Sequence, residues 1–467
     1  MKHVVIVGNG MAGHRVATRV HAARPEWEVT VVGAEPHAAY NRVLLTDLLA
    51  GRPDAERLTL PWPDGLPAPL TGHRVTAIDR AARTVALADG RELRWDRLVL
   101  ATGASPVLPP VKGLVSDDGH LHPDAVAFRT LDDCRRIADL ASRRRRAIVL
   151  GGGLLGLEAA RGLAARGLEV HVVHAMGHLM ERQLDPGAGA ALAGALAELG
   201  VTCWTGAQAA RVLGGGRMRG LVLTDGRHVP GDFLVVSCGA RPDTQLAAAA
   251  GLTTARGVVV DDHLRTSAPD VYAVGDCAEH RGVAHGLVEP AWEQARIAAE
   301  ALTDSGCGPG PGYTGSAPLT RLKAEGLELA AMGDVEAEAA HPDAEVLHFS
   351  HSGRHVYQRI VVREERVVGA VLLGDATPAG PLSRLYLTGA RIPLDRRLLL
   401  FPGLAAAAQD AEPPDAVVCR CAHVTAEAIR RSRSEGARDA ADVARRTHAT
   451  TGCGGCRSAV ERLLTEG

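Results

Sequence analysis

The stretch Val4-Val5-Ile6-Val7-Gly8-Asn9-Gly10-Met11-Ala12-Gly13 leaves this chain little choice of fold. Four apolar β-formers run into G-x-G-x-x-G, and a helix-period pattern follows from Met11 to Ala23. A continuously apolar strand is one that helices cover on both faces, as in a parallel sheet. Gly8 permits the tight turn, Gly10 lets backbone approach a pyrophosphate, and Gly13 lets the helix pack on the strand. The helix opening at Met11 and Ala12 offers bare N–H groups and a positive dipole end to phosphate. A second strand, Val29 to Val32, ends near Glu35, about 20 residues past the glycines, where an acid hydrogen-bonds a ribose hydroxyl.

The pattern then repeats. Ala147-Ile148-Val149-Leu150-Gly151-Gly152-Gly153-Leu154-Leu155-Gly156 leads into a helix through Ala165 and a strand from Glu169 to Val173. Two dinucleotide folds in one chain call for two nucleotides, one fixed and one exchanged. His174 stands at the acid position of the second fold. An acid there would repel a 2′-phosphate, whereas a histidine need not, and it equally suits a plain strand end. NADH and NADPH both stay open.

The chain as a whole is ordinary for a globular protein, with 46% hydrophobic and 23% charged residues and a net charge of −2. No global field favours nucleic acid or a membrane surface. No apolar run reaches the roughly 20 residues of a membrane span. Met-Lys-His followed by a core strand is no signal peptide, so a cytoplasmic location is expected. Lysine is confined to Lys2, Lys112 and Lys323, which nearly excludes lysine chemistry.

Tyr40-Asn41-Arg42-Val43-Leu44-Leu45 leads into an apolar helical stretch ending at Gly51, and Pro53 to Pro69 reads as loop. His73 to Ile78 and Arg83 to Leu87 alternate like paired strands, with Asp89-Gly90 as a turn. Arg97 to Leu100 is a buried strand ending in the small residues Ala101, Thr102 and Gly103. The charge run Arg143 to Arg146 reads as a solvated face. Leu234 to Pro242, which contains Gly239, looks like the return crossing into the first fold. The stretch Thr266 to Asp276 reads as a strand ending in Gly275-Asp276, placing a carboxylate at the ligand-binding end of a sheet.

Together these pieces resemble the two-dinucleotide-fold flavoprotein reductases over roughly residues 1 to 300. The resemblance implies FAD on the first fold and NAD(P)H on the inserted second. It gives the FAD pyrophosphate to Gly8, Gly10, Met11, Ala12 and Gly13, and the adenosine ribose to Glu35. Arg42, Val75, Ala101, Thr102, Gly103, Arg129 and Asp276 fall where that family contacts FAD. Gly151, Gly153, Leu155, Gly156, Glu158, His174 and Gly239 form the corresponding NAD(P) set, with Glu158 near the nicotinamide. Two departures matter. No cysteine lies between Arg42 and Gly51, where disulfide reductases keep theirs, and Cys134, Cys203, Cys238, Cys277 and Cys307 are scattered like buried apolar side chains. Many relatives also carry a lysine that pairs with the glutamate near the flavin; Asp47 stands there instead.

Gly306 to Pro311 reads as a linker, and strands at Leu327 to Met332, Glu345 to Phe349, Val356 to Val362 and Val367 to Leu373 suggest the small cap of this family, often used for subunit contact and so compatible with a homodimer. Gly403 to Asp415 is a second linker. Beyond it stand Cys419-Arg420-Cys421 and Cys453-Gly454-Gly455-Cys456, four of the nine cysteines. In a cytoplasmic chain such spacing means metal before disulfide, and four thiolates serve a zinc ion or an iron–sulfur cluster. Helical stretches are expected at Thr425 to Arg431 and Ala437 to Thr447. The pattern resembles the 2Fe–2S domains of the bacterioferritin-associated ferredoxin type.

The expected fold is therefore α/β: two nested Rossmann-like dinucleotide-binding folds (1–115 with 232–302 for FAD, 116–231 for NAD(P)), an α+β cap at 313–402, a linker at 403–415, and a small helical 2Fe–2S domain at 416–467. This order resembles the front portion of NAD(P)H-dependent assimilatory nitrite reductase large subunits. The closest-matching motifs are Tyr40 to Leu45, His178-Leu179-Met180-Glu181-Arg182-Gln183-Leu184-Asp185 and Thr451 to Cys456. The resemblance implies FAD, NADH or NADPH and one 2Fe–2S cluster, with electrons going to a separate redox partner, a molybdenum nitrate reductase or a nitrite reductase. No cysteine set for a sirohaem module follows Cys456 in this sequence. No side-chain acid or base is expected to be essential, because the chemistry belongs to the cofactors. Two other readings are an electron-accepting subunit of an amine or opine oxidase, and a cluster-based redox sensor.

Overall fold

The computed structural model describes residues 2–52, 58–304, 308, 310–317, 319–324, 326–405, 413–452 and 454–465. Cys453, the Pro53 to Arg57 part of the proline-rich loop, and linker residues 406–412 lie outside the described residues.

Two parallel sheets share one plan. The first runs Val271–Ala273, Arg97–Leu100, His3–Val7, Glu28–Gly33, Leu70–Thr71. The second runs Ala125–Ala127, Phe233–Val236, Arg146–Leu150, Glu169–Val173, Val201–Trp204. In each, the strand before the glycine turn is central, and its apolar side chains are fully enclosed (Val4, Val5 and Ile6; Ala147, Ile148 and Val149). Each fold also carries an antiparallel three-stranded meander, Val75–Asp79 with Thr84–Leu87 and Glu92–Arg94 in one, Ala209–Leu213 with Gly220–Leu223 and His228–Pro230 in the other. The helices Met11–Ala23 and Val288–Thr303 pack together against the first sheet.

The return crossing falls later than the sequence suggests. Phe233–Val236, all buried, is a strand of the second sheet, between Arg146–Leu150 and Ala125–Ala127. The chain crosses back through Ala240–Pro242, which pairs antiparallel with Ala104–Pro106. A uniformly apolar strand carries no local mark of which buried sheet it joins.

The cap is a five-stranded antiparallel sheet in the order Leu319–Ala324, Leu327–Gly333, Arg366–Leu373, Val356–Arg363, Glu345–His351. One face shares a core with the second fold, where Leu322, Leu329 and Leu373 meet Leu157, Leu192 and Leu196. Tyr357 Oη donates to Asp185 across this seam at 2.7 Å. The helices Ala379–Thr388 and Arg397–Leu400 cover the other face. The C-terminal segment forms a short hairpin, Val417–Cys419 with Val424–Thr425, and three helices, Ala426–Ser434, Ala440–Thr447 and Arg457–Thr465. Among the described residues no helix is long and apolar enough to cross a membrane.

Candidate dinucleotide and cluster sites

Helices usually meet their first N–H groups with a side chain. Thr130, Asp185, Thr425 and Asp439 do so for the helices they precede. Met11–Ala23 and Leu154–Ala165 start differently. Gly10 and Gly153 hold the cap positions, no side chain caps either helix, and no acid stands in either first turn. A Cβ on Gly10 or Gly153 would meet no atom within 4 Å. Behind this open space the backbone is tight. A Cβ on Gly8 would overlap the Ala101 carbonyl, and one on Gly151 would overlap that of Ser237. Gly13 and Gly156 each lie against the carbonyl of the first glycine of their own turn. Both φ angles at the turn are positive, +119° at Gly8 and +116° at Gly151, where a side chain is strained. Two helix starts with unmet donors facing open space fit two pyrophosphates.

Around the first turn the predicted residues meet. The Glu35 carboxylate accepts from Tyr40 Oη at 2.6 Å and pairs with Arg42. Arg42 also donates to the Arg129 carbonyl at 3.1 Å, and Arg129 pairs with Asp276. Three segments far apart in sequence thus join in one polar chain at the carboxyl ends of the strands. Val75 opens the strand that follows Gly72 and His73, whose N–H groups donate to the Glu35 and Gly33 carbonyls, both at 2.9 Å. Thr102 Oγ1 donates to the Asp243 carbonyl at 2.9 Å, while Gly103 leaves open space at its Cβ position. Tyr40 is the residue that sequence reasoning missed. Its oxygen also accepts from the Leu131 N–H at 3.0 Å, and burial above all pushes its hydroxyl pKa up. It stood inside the Tyr40-Asn41-Arg42 motif, which was the available signal.

The second turn is built around His174, 7% exposed. Its Nδ1 accepts from the Gly152 N–H at 3.1 Å, which leaves Nε2 to donate to Glu181 at 3.1 Å. A Cβ on Gly152 would strike the ring. The histidine thus sits under the turn, and the acid at this end of the sheet is Glu181, with its side chain 27% exposed. Sequence spacing could not find Glu181, because it arrives from the next loop. Leu155 lies in the first helical turn, and Gly239, with φ +95°, leaves open space at its Cβ position. Glu158 is buried and accepts from Thr46 Oγ1 at 3.0 Å. Asp47, in the lysine position, turns to Arg52 at 3.0 Å.

The C-terminal cysteines are folded onto the first fold. Cys419, Cys421 and Cys456 are buried in one core with Met11, Leu60 and Trp292. Asn41, beside Arg42, donates through Nδ2 to the Thr451 carbonyl, and Arg420 pairs with Glu289 at 2.7 Å. Gly452 is wedged so that a Cβ would meet Cys421 Cβ at 2.7 Å and Trp292 at 3.5 Å. Among the described residues no three His, Cys, Asp or Glu gather around one point, and the set of four thiols includes Cys453. Three buried thiols at the wall of an open cleft, near N–H donors that lack acceptors, fit an anionic sulfur cluster (Arg15 Nε, Trp292 Nε1, Arg321 Nε and Arg420 Nη1). Cys307 lies outside the described residues, and the four remaining cysteines are unlike these. Burial pushes Cys134, Cys203 and Cys238 up to about 11, and Cys277 up as well, so none is a ready thiolate.

Two glycine-turn helix starts, a charge chain around the first and a cysteine domain docked beside it define an FAD-dependent NAD(P)H oxidoreductase carrying a 2Fe–2S domain. Residues 2–301 match the Pyridine nucleotide-disulphide oxidoreductase family, and the chain belongs to it. Residues 318–386 match the Rubredoxin NAD+ reductase C-terminal domain, and residues 417–466 the BFD-like [2Fe-2S] binding domain. The chain is 36% identical to a nitrite reductase [NAD(P)H] of Bacillus subtilis, over 99% of this chain and 57% of that protein. It is 33% identical to an assimilatory nitrate reductase electron transfer subunit of the same organism, over 99% of this chain and 59% of that protein. It thus spans little more than half the length of these relatives. The putidaredoxin reductase–putidaredoxin complex is a structural neighbour at 29% identity and TM-score 0.75, covering 88% of this chain and 99% of that one.

Proposed function

We propose that this chain is an NAD(P)H-dependent electron-transfer flavoprotein that delivers electrons through its 2Fe–2S domain to a separate nitrate or nitrite reductase partner. FAD, when bound, is the group that turns a two-electron hydride into single electrons for a one-electron cluster. The residues hold and insulate. Gly10 and Gly153 keep two helix N-termini open to pyrophosphate, with Glu35, Arg42, Arg129 and Asp276 lining the first site and Glu181 the second. Thr46 holds Glu158 at the seam between the two folds. The observation that carries the proposal is the docking of the cysteine loop on the flavin fold of its own chain, through Asn41 and Trp292. A resident electron exit needs such closeness, and an oxidase subunit would need no second nucleotide site. The partner class is supported by the likeness to the nitrate reductase electron transfer subunit.

The test is an anaerobic titration of the cluster-loaded protein with NADH and, separately, NADPH, followed by visible absorbance and EPR. Flavin bleaching with a growing 2Fe–2S signal is expected, and the more efficient nucleotide is read directly. Bleaching without any cluster signal would sink the proposed route. Failure of both nucleotides to react would move the chain to the oxidase-subunit class.

A further inference from the structure

A buried N–H without an acceptor is costly and calls for a missing partner. Four such donors lie around the cysteine motif, and three of them come from outside the C-terminal domain. Arg15 belongs to the first dinucleotide helix, one turn past Met11. Its guanidinium lies over the Trp292 ring at 5.1 Å, and its Nε is buried without a partner. Trp292 Nε1 is likewise without one, and that ring borders Gly452 and Cys421. Arg321 comes from the first strand of the cap. Its Nε lies 3.0 Å from the position a Cβ would take on Gly455, inside the C-G-G-C turn, and is again unpartnered. The fourth, Arg420 Nη1, stands between two of the cysteines. Every orphan in this ring is a donor and three are cationic, so the missing partner is an anion.

We infer that Arg15 and Arg321 are positioning residues that set the reduction potential of the 2Fe–2S cluster from the flavin fold and the cap, outside the domain that ligates it. The inference rests on the reading that the C-terminal cysteines hold such a cluster. Four thiolates and two sulfides outweigh two ferric ions, and reduction adds one electron and no proton. The reduced form is the more negative, so a fixed cation nearby favours it and raises the potential. Burial, chiefly, and the neighbouring Arg19 lower Arg15 to about 10, which leaves it charged at neutral pH, and Cys419 acts in the opposite direction. The consequence is a cluster that accepts electrons readily only when its domain is seated on the other two.

EPR-monitored redox titration of the full, cluster-loaded chain tests this, with dithionite as reductant. Arg15→Gln and Arg321→Gln should each lower the equilibrium constant for cluster reduction by about tenfold, 59 mV for a one-electron couple. Arg15→Lys should keep most of the wild-type potential, and the flavin midpoint should stay in place in all three. A cluster that titrates at the wild-type potential in both glutamine variants would overturn the inference. If Arg15→Gln assembles no cluster, Arg321→Gln decides alone: a lowered midpoint supports the inference and an unchanged one overturns it. A wild-type protein with no 2Fe–2S signal would instead remove the reading of the cysteines on which this rests.

Discussion

The two dinucleotide folds are near-copies in backbone and unlike in surroundings. Strand order, glycine overlaps and open helix starts repeat almost residue for residue. Around the first turn, however, side chains from Tyr40, Arg42, Arg129 and Asp276 converge, and a whole domain docks beside it. Around the second, His174 and Glu181 stiffen the turn from beneath, and the cap packs on the helices of that fold rather than on a charged chain like the first. On the proposed assignment, the same scaffold serves the resident nucleotide where distant side chains converge and the exchanged one at the second turn.

The sharpest way to break this comparison is to spoil each turn separately. Gly8→Ala forces a Cβ into the Ala101 carbonyl at positive φ, a cost of about 3 kcal/mol or more. The purified variant should lose most of its flavin absorbance per chain. Gly151→Ala carries the same local clash but should keep its flavin and lose its bleaching by NAD(P)H. Loss of flavin from both variants alike would refute the division of labour.

A smaller effect is expected at the second turn. His174→Phe removes the acceptor of the buried Gly152 N–H and the donor to Glu181, worth about 1–3 kcal/mol. Flavin content should hold while the nucleotide dissociation constant, measured by stopped-flow bleaching, rises roughly tenfold or more. An unchanged constant would make the histidine a mere strand end. Thr46→Val removes the hydroxyl that Glu158 accepts from, with an expected cost of about 1–2 kcal/mol in thermal unfolding and no change in cluster content. Loss of the cluster in that variant would mean that the seam also governs domain docking.

The smallest effect concerns pH. Burial is the main cause that lowers both His14, on the flavin helix, and His448, on the cluster domain, below 6.5. The folded chain then binds fewer protons than the unfolded one in the window just below 6.5. Stability is full above that value and declines as pH falls through the window. Both histidines should contribute to the decline, read as a drop in Tm as pH falls below 6.5. His14→Asn with His448→Asn should flatten the slope, and an equally steep slope would assign it to other groups.

What was legible in the sequence was local. The glycine turns, their strands and the C-x-C with C-G-G-C need no knowledge of distant neighbours, and Arg42, Arg129 and Asp276 came from a family resemblance that fixes their places. What was not legible was long-range. Phe233–Val236 reads the same whether it joins one buried sheet or the other. Glu181 reaches the second turn from a loop that no spacing rule ties to His174. Arg15 drew no notice in the sequence, because its place over Trp292, beside the C-terminal cysteines, is set by residues far along the chain.

The edge strand Val271–Ala273 has a consequence for biogenesis. Its neighbour in the sheet, Arg97–Leu100, leaves the ribosome first, and the entire second fold is synthesised between them. At ordinary elongation rates the gap is roughly 10–30 s. During that interval the nascent first fold lacks Asp276 and presents the open side of Arg97–Leu100 as an unpaired edge, a hazard for association between chains. The first sheet, and with it Asp276, is therefore completed only after the whole inserted fold has been synthesised.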